Sequence, residues 1–259
     1  MKKTLSILFL LASAGLLVFS CKKNTLSVAP FDKTDGQGLL KINYASPYKN
    51  NPAIQIKVDG NRVSNNITYN TPFPGGGLNT GGSNNADYMN FSPGEHTVSL
   101  SIPKVGTGED SIELYKTSVE LKSNAPCTLH VTDTATGTQS VLLSDIANMP
   151  DSGITKFSFV NLVPGSSMDL YFGPTKLASG IAYKAASDTF SIPAGSVYQF
   201  AIRLAGSSST STALATYPTS AGTTYTIPNQ RVFTAYARGY LGLTSTDIRR
   251  AMLSFLYVK

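Results

Sequence analysis

The sequence lacks most of the residues on which metal sites and sugar-stacking surfaces depend. It has no tryptophan, two histidines and two cysteines in 259 residues, and only 14% of the residues are charged. A zinc site needs three or four closely spaced ligands, which two lone histidines and one spare cysteine do not supply. We therefore predict no metal site and no cofactor.

Signals for common reactions are missing as well. A serine hydrolase favours a Gly-x-Ser-x-Gly elbow and a histidine base, but no such elbow occurs, and His96 and His130 both fall in segments with strand periodicity. A glycosidase needs two carboxylates across a cleft, and nothing singles out a pair among the 15 acidic residues. We predict no catalytic residue and a protein that is not an enzyme.

Only one long apolar run is present. Residues 5–19 are apolar and follow Lys2 and Lys3, and a run of 15 residues is short for a membrane helix, which needs about 20. A basic start followed by an apolar stretch of this length is typical of a signal peptide. We predict a cleaved signal over residues 1–20.

The end of that run has the pattern of a lipid attachment site. Val18-Phe19-Ser20-Cys21 resembles a bacterial lipobox, with an aliphatic residue three before the cysteine and a small residue just before it. The resemblance implies cleavage before Cys21 and acylation of its thiol and new amino group. Several acyl chains would hold the protein on a membrane almost permanently. The alternative is an ordinary signal peptide, cleaved nearby, with Cys21 incidental.

Charge is sparse and scattered. Without Lys2 and Lys3, 19 basic residues face 15 acidic ones, and they form no basic stripe with interleaved aromatics, so nucleic acid is not an expected partner. Lys22 and Lys23 would lie beside lipid headgroups. Residues 22–24 contain no Asp of the kind that can retain lipoproteins on the inner membrane. We expect a cell-envelope location on the outer membrane, facing the periplasm or the exterior.

The rest of the chain has the periodicity of β-structure. Short alternating runs are separated by turn residues every eight to twelve positions, as in all-β sandwiches. In one such run Cys127, Leu129 and Val131 share a face, which predicts that Cys127 is a core residue rather than a reactive thiol. Thr128, His130 and Thr132 share the other face, which we expect to be solvated.

An internal repeat divides this part into two domains. Residues 39–47 align with 154–161, 54–69 with 168–183, and 91–100 with 192–201. We predict a tether over residues 21–38 and two antiparallel β-sandwiches over 39–147 and 154–259, each with about seven strands. The connecting segment, residues 148–153, is short, so we expect the sandwiches to sit end to end with limited freedom.

Several of the repeated motifs also resemble a known family. The second half contains Val160-Asn161, Leu-Ala-Ser-Gly-Ile-Ala-Tyr at 177–183 and Ile-Pro-Ala-Gly at 192–195, and the first half keeps Ala45-Ser46-Pro47, Val58-Asp59-Gly60 and Pro93-Gly94. This order is similar to the bacterial domain of unknown function 4397, most clearly over residues 154–240. The resemblance implies immunoglobulin-like sandwiches in surface or exported proteins, and it brings no catalytic residues.

The first half departs from that pattern by a long Gly- and Asn-rich insertion at residues 74–85. Loops of this length in compact domains are generally either functional or disordered. The segment does not end in Gly-Lys-Ser/Thr, so it is not a phosphate loop. We weigh a mobile insertion against a partner-binding loop whose candidate contact residues are Tyr69, Phe73, Asn79 and Tyr88.

These observations favour a non-enzymatic envelope lipoprotein that binds a protein or glycan partner or has a structural role. The alternative is a surface glycan hydrolase or esterase. That alternative would require an aromatic-lined cleft with convergent carboxylates or a Ser-His pair.

Overall fold

A computed structural model describes residues 35–106, 109–134 and 137–259. The predicted signal peptide, Cys21 and most of the predicted tether lie outside these ranges. The described residues form strands, turns and loops, and they include no helix that could span a membrane. The strands are β1 (Gly38–Tyr44), β2 (Gln55–Val58), β3 (Asn61–Arg62), β4 (Thr71–Phe73), β5 (Gly77–Leu78), β6 (Met89–Phe91), β7 (Gly94–Pro103), β8 (Asp110–Leu121), β9 (Pro126–Thr134), β10 (Gly137–Ser144), β11 (Ile154–Asn161), β12 (Ser167–Phe172), β13 (Thr175–Ala182), β14 (Phe190–Pro193), β15 (Val197–Tyr198), β16 (Phe200–Leu204), β17 (Ala215–Tyr217), β18 (Tyr225–Thr226), β19 (Val232–Arg238) and β20 (Met252–Tyr257).

The first sandwich is built from β1–β4 and β6–β10. One sheet has the order β10-β9-β1-β4, with β6 also paired to β1, and the other has the order β3-β2-β7-β8. Asp59 and Gly60 form the two-residue turn between β2 and β3 with φ angles of 49° and 77°. A turn with two positive φ angles suits Asp-Gly, and it matches the twist of the paired strands.

The second sandwich repeats this plan. Its sheets have the orders β14-β11-β19-β20-β5 and β13-β12-β16-β17, and β15 pairs with β18 in a small extra sheet. In both halves the first strand pairs in parallel with the penultimate strand, β1 with β9 and β11 with β19. The all-β class and the two sandwiches are therefore as predicted, except that each contains one parallel pair within an otherwise antiparallel arrangement.

Each sandwich has its own apolar core. In the first, Leu40 and Ile42 of β1 meet Val98 and Leu100 of β7. In the second, the core is aromatic, and the ring of Phe157 lies 5.3 Å from that of Phe233 and 5.7 Å from that of Phe200. The alternation predicted from the sequence therefore identifies the core faces correctly.

The expected end-to-end arrangement is wrong. The sheet containing β1 and β9 packs face to face on the sheet containing β19 and β20, and Ala45, Val160, Leu162, Tyr236 and Leu256 form a third apolar cluster between them. We call this interface the seam. The four sheets thus stack as four layers, and the two sandwiches form one body.

The seam also overturns the expectation that one face of β9 is solvated. Thr128, His130 and Thr132 are fully buried, as are Lys41 and Asn43 on the same face of β1. The second sandwich contacts Lys41, His130 and Thr132, and Asp145 bonds Thr128. The outer face of β12 is covered too. There the Asp169 carboxylate is buried and accepts hydrogen bonds from the Lys176 ammonium and the Gly180 N–H.

Candidate functional site: the seam and the two poles

The Gly- and Asn-rich insertion is an ordered clasp between the sandwiches. We call residues 74–85 the clasp. Its strand β5 pairs with β20, so a segment of the first sandwich completes a sheet of the second. A Cβ at Gly77 would lie 1.7 Å from the Phe255 carbonyl oxygen, so only glycine permits this approach. The segment, weighed from the sequence as a mobile insertion or a partner-binding loop, is thus paired with the second sandwich through β5.

The four candidate residues of the partner-binding loop have partners within the molecule. The Asn79 side-chain amide donates to the Leu253 carbonyl oxygen at 2.7 Å, and the Tyr69 hydroxyl accepts a hydrogen bond of 2.9 Å from Arg238. Phe73 pairs with β1 and packs on the first core. Tyr88 donates to the Asp145 carboxylate at 2.9 Å. All four are only partly exposed, and their role in binding a partner stays a prediction.

A buried charged group lies at the seam beside Tyr88. Lys41 is fully buried, its ammonium donates to the Tyr257 carbonyl oxygen of the second sandwich, and it lies 4.4 Å from the centre of the Tyr88 ring. Burial lowers the pKa of Lys41 to about 8, against the opposing effect of the Asp145 carboxylate. Burial likewise raises the pKa of Asp145, although hydrogen bonds from Thr128 and Tyr88 oppose that shift.

His130 is the central polar residue of the seam. The Asn43 side-chain amide donates to its Nδ1 at 3.1 Å, so the proton of the neutral ring lies on Nε2, which has no hydrogen-bond partner in the described structure. The Tyr236 ring of the second sandwich lies 6.2 Å away. Burial, together with the Lys41 charge, lowers the pKa of His130 to about 3. A neutral, inaccessible imidazole cannot act as a general base on an external substrate.

His96 is no better placed for catalysis. Its Nδ1 donates to the Asp59 carboxylate at 2.6 Å and its Nε2 donates to the Ser92 carbonyl oxygen at 2.7 Å. Both ring nitrogens are therefore occupied as donors, and among the residues that the structure describes no serine hydroxyl bonds the ring as a nucleophile would. Burial alone would lower the pKa of His96, but these two hydrogen bonds raise it overall.

Cys127 is a core residue, as the alternation predicts. It is buried in the first sandwich and its thiol donates to the Leu39 carbonyl oxygen at 3.3 Å. Burial raises the pKa of the thiol to about 12, which removes the reactive thiolate near neutral pH. Within residues 35–106, 109–134 and 137–259, no cluster of three or more His, Cys, Asp or Glu side chains has the arrangement of a metal site.

The strands run between two ends of the body, which we call poles. The tether pole contains Gly36, whose N–H bonds Asn124, and Gly153, whose N–H bonds Asn229. The distal pole contains Asp133 and Tyr240, whose side chains meet at 2.8 Å across the seam. Because β1 and β11 both run from the tether pole to the distal pole, the two sandwiches are aligned rather than inverted.

Exposed large apolar side chains concentrate at these poles. Among the described residues, five lie toward the distal pole and three toward the tether pole; Ile112, Leu204, Val197 and Tyr198 are strand residues and the others lie in loops. The distal set is Val105, Ile112, Leu204, Leu241 and Ile248, and the tether set is Met149, Val197 and Tyr198.

A small pocket of about 230 Å³ opens at the distal pole. Its walls include Leu214, Leu241 and Leu243. Arg250, at the end of the loop between β19 and β20, also lines the pocket. The neighbouring Arg249 forms a bidentate pair with Asp247, at 3.0 and 2.7 Å, whereas Arg250 has no acidic partner among the residues that the structure describes. The distal pole therefore combines aliphatic surface with an uncompensated guanidinium.

Comparison with protein families agrees with the repeat. The model of a domain of unknown function (DUF4397) matches residues 39–166 and 155–249, which together cover most of the chain. The chain belongs to this family. The match includes the first half, where the clasp interrupts the motif order, so both DUF4397 units are supported.

Comparisons with curated proteins and with solved structures give no further information about function. No curated protein matches the sequence significantly. Among solved structures, the chain is similar to "a putative cell adhesion protein" from Bacteroides uniformis ATCC 8492, with 8% identity over 88% of this chain and 98% of that one. The TM-score is 0.18, so this similarity carries no argument about fold or function.

Sequence reasoning missed both the seam and the distal pole. Leu241, Ile248 and Arg250 lie in a loop with no motif and no periodicity, so nothing in the sequence marks them as one end of the body. One signal was present for the seam. Lys41 and Asn43 interrupt an otherwise apolar strand, but the same pattern is expected of a solvated face.

Proposed function

We propose that this DUF4397 protein is a non-enzymatic lipoprotein of the cell envelope, anchored through Cys21, whose distal pole binds a partner. The observation that carries the proposal is the group of exposed aliphatic side chains at the pole opposite the point where the chain enters the body. Val105 is 97% exposed and Ile248 is 57% exposed. Contiguous exposed apolar surface is characteristic of interaction sites, and at this pole Leu241 adjoins Leu214 and Leu243 around the pocket.

The chemistry of the distal pole favours a protein partner over a glycan. Its exposed apolar residues are aliphatic, whereas sugar rings are bound mainly on exposed aromatic faces. An unpaired arginine beside aliphatic groups suits a protein interface, where Arg is enriched and can pair with a carboxylate of the partner. Tyr240 at this pole is partly buried and donates to the Asp133 carboxylate within the molecule.

Site-specific photo-crosslinking in the native host tests the partner-binding role. A crosslinker at Leu241 is expected to capture one discrete partner, whereas a crosslinker at Lys116, exposed midway along β8, is expected to capture none. Leu241→Asp combined with Ile248→Asp should reduce capture from a third distal position, Val105, at least tenfold. Equal labelling at Leu241 and Lys116, or turnover of a glycan or ester substrate by the purified protein, would contradict the proposal.

Lipidation is tested separately. Mass spectrometry of the N-terminal peptide from the native host should find Cys21 as the first residue with acyl chains attached, and Cys21→Ser should move the protein from the detergent phase to the aqueous phase. Finding Cys21 unmodified would refute the anchor. Protease treatment of intact cells then separates a periplasmic from an external orientation on the outer membrane.

A further inference from the structure

The tether pole carries its own set of exposed apolar and cationic side chains on the second sandwich. We infer that this surface, formed by Val197, Tyr198, Arg231 and Lys259, lies on the phospholipid headgroup layer. The inference rests on the proposed anchor at Cys21 and adds a second, non-covalent membrane contact. It also sets the orientation of the body, with the distal pole directed away from the bilayer.

Tyr198 has the geometry of a fixed interfacial aromatic. It is 50% exposed, it lies on the short strand β15 paired with β18, and its ring meets that of Phe172 edge to face at 5.4 Å. A Cβ at Gly173 would lie 2.6 Å from the Tyr198 ring, so the glycine lets the ring rest against the backbone. Tyrosine side chains with an apolar body and an exposed hydroxyl are enriched at membrane surfaces.

Two cations lie at the same pole of the second sandwich. Arg231 and Lys259 are both exposed, and the chain brings them together because the Val232 N–H bonds the Lys259 carbonyl oxygen at 2.8 Å. Neither has an acidic partner in the described ranges. Such cations beside an apolar contact attract anionic headgroups.

Most of the acidic residues of this pole belong to the first sandwich. The exposed carboxylates Asp35, Glu95 and Glu120 belong to the first sandwich, and Asp151 lies in the segment between the sandwiches. Asp151 precedes Ser152 and Gly153, which bond Asn229 two positions before Arg231, so one carboxylate lies near the two cations. Arg231 and Lys259 outnumber it, so the second sandwich is the more cationic part of this pole.

The position of the anchor is consistent with this contact. Thirteen residues separate Cys21 from Asp35, so these two residues can be no more than about 50 Å apart. Asp35 and Gly36 enter the body at the tether pole, beside Asn124. The pole that carries Tyr198 is thus the end at which the chain from the proposed anchor enters the body.

The absence of tryptophan allows a direct test. Tyr198→Trp and, as a matched control at the other pole, Leu241→Trp each give the full lipoprotein a single tryptophan. Each protein is reconstituted into vesicles of phosphatidylcholine with one third phosphatidylglycerol, with and without brominated acyl chains. We expect the bromines to quench the fluorescence of Tyr198→Trp at least twice as strongly as that of Leu241→Trp. Adding Arg231→Glu and Lys259→Glu to the Tyr198→Trp protein should reduce its quenching toward the value of the control.

The possible results separate this inference from the proposed anchor. Protein that partitions into detergent and stays with the vesicles, but shows equal quenching at both positions, would overturn the membrane-contact surface and leave the anchor standing. Unacylated Cys21 would overturn both. Unchanged thermal unfolding of Tyr198→Trp checks that the substitution preserves the fold, and strong quenching lost at high salt would support the contribution of the two cations.

Discussion

At the scale of single residues, the pKa values of the two histidines are shifted in opposite directions, so the two residues affect stability oppositely as the pH changes. His130 is buried at the seam with a pKa lowered from 6.5 to about 3, so the unfolded chain binds more protons between these values. Stability therefore falls as the pH falls through this window, by an amount on the order of 5 kcal/mol in total. We expect His130→Gln to flatten the dependence of the free energy of unfolding on pH between 6.5 and 4, measured by urea denaturation.

His96→Gln is the matched comparison, because it removes the other histidine without touching the seam. It should leave the acid slope of the unfolding free energy in place. An acid slope that is the same in His130→Gln as in the unsubstituted protein would show that the seam histidine does not control acid stability.

For His96, which pairs with Asp59, the dependence of stability on pH has the opposite sign to that of His130. The pKa of His96 is raised, so its contribution to stability is present below about pH 6.5 and is lost as the pH rises through the raised value. Burial alone would raise the pKa of Asp59, but hydrogen bonds from His96 and the Thr97 N–H lower it overall. The contribution of Asp59 is therefore lost as the pH falls through that lowered value.

Asp59→Asn should therefore lower the pKa of His96, followed by NMR titration of its ring protons. Glu95→Gln serves as the control, because it removes a neighbouring exposed carboxylate that has no contact with the imidazole. If the pKa of His96 is the same in Asp59→Asn as in the unsubstituted protein, the pair is not the cause of the shift.

At the scale of elements, the clasp depends on close backbone contact. Gly77→Val would place side-chain atoms against the Phe255 carbonyl, so we expect β5 to leave β20 and its hydrogen bonds to be lost, including those of Asn79 with Leu253 and Ser254. With the Tyr257 N–H bond to the Gly76 carbonyl these are three hydrogen bonds, which correspond to about 2–4 kcal/mol. The measurement is faster hydrogen exchange at the Tyr257 amide, which bonds the Gly76 carbonyl.

Gly137→Ala provides the control for that substitution, because a Cβ at Gly137 would meet no atom within 4 Å. It should change neither exchange at Tyr257 nor stability. Protection of the Tyr257 amide that survives Gly77→Val would mean that the clasp tolerates the added volume.

Elements differed in how far the sequence could predict them. Long strands such as β9 were predictable, because alternation identifies which residues share a face, and Cys127 lies in the core as expected. The strand β5 could not be predicted, because a strand of two residues shows no periodicity and its partner, β20, is about 180 positions away in the sequence. The Gly-rich composition of the clasp fits both a disordered loop and a tight backbone approach, and only the approach to β20 distinguishes them.

At the scale of the whole molecule, the same limit applies to the arrangement of the sandwiches. A face carrying Asn43, Thr128 and His130 has the composition of a solvated surface, and the sequence does not show that a second sandwich covers it. The pairing of buried polar groups, such as the Tyr236 hydroxyl with the Asn70 side chain at 2.8 Å, depends on residues far apart in sequence. The repeat could be predicted because its motifs are short stretches of neighbouring residues. The seam could not be predicted because its contacts join residues that are far apart in the sequence.

The seam predicts that the two sandwiches unfold as one unit. Leu256 is fully buried there and Lys41 bonds across it, so separating the sandwiches would expose apolar surface and leave buried polar groups unpaired. We expect a single calorimetric transition whose van't Hoff enthalpy equals the calorimetric enthalpy. Leu256→Asn should destabilise the protein by about 2–4 kcal/mol and split this transition in two, since the apolar cores of the two sandwiches remain intact.

Ile248→Asn is the control for a comparable change at an exposed position, and it should leave one transition at nearly the same temperature. Two transitions in the unsubstituted protein would show that the seam does not couple the sandwiches. Coupling matters for the proposed function because a rigid body fixes the distance between its poles. If the tether pole rests on the headgroups, a rigid seam holds Leu241 and Arg250 at a constant height above them, whereas a hinged pair of domains would not.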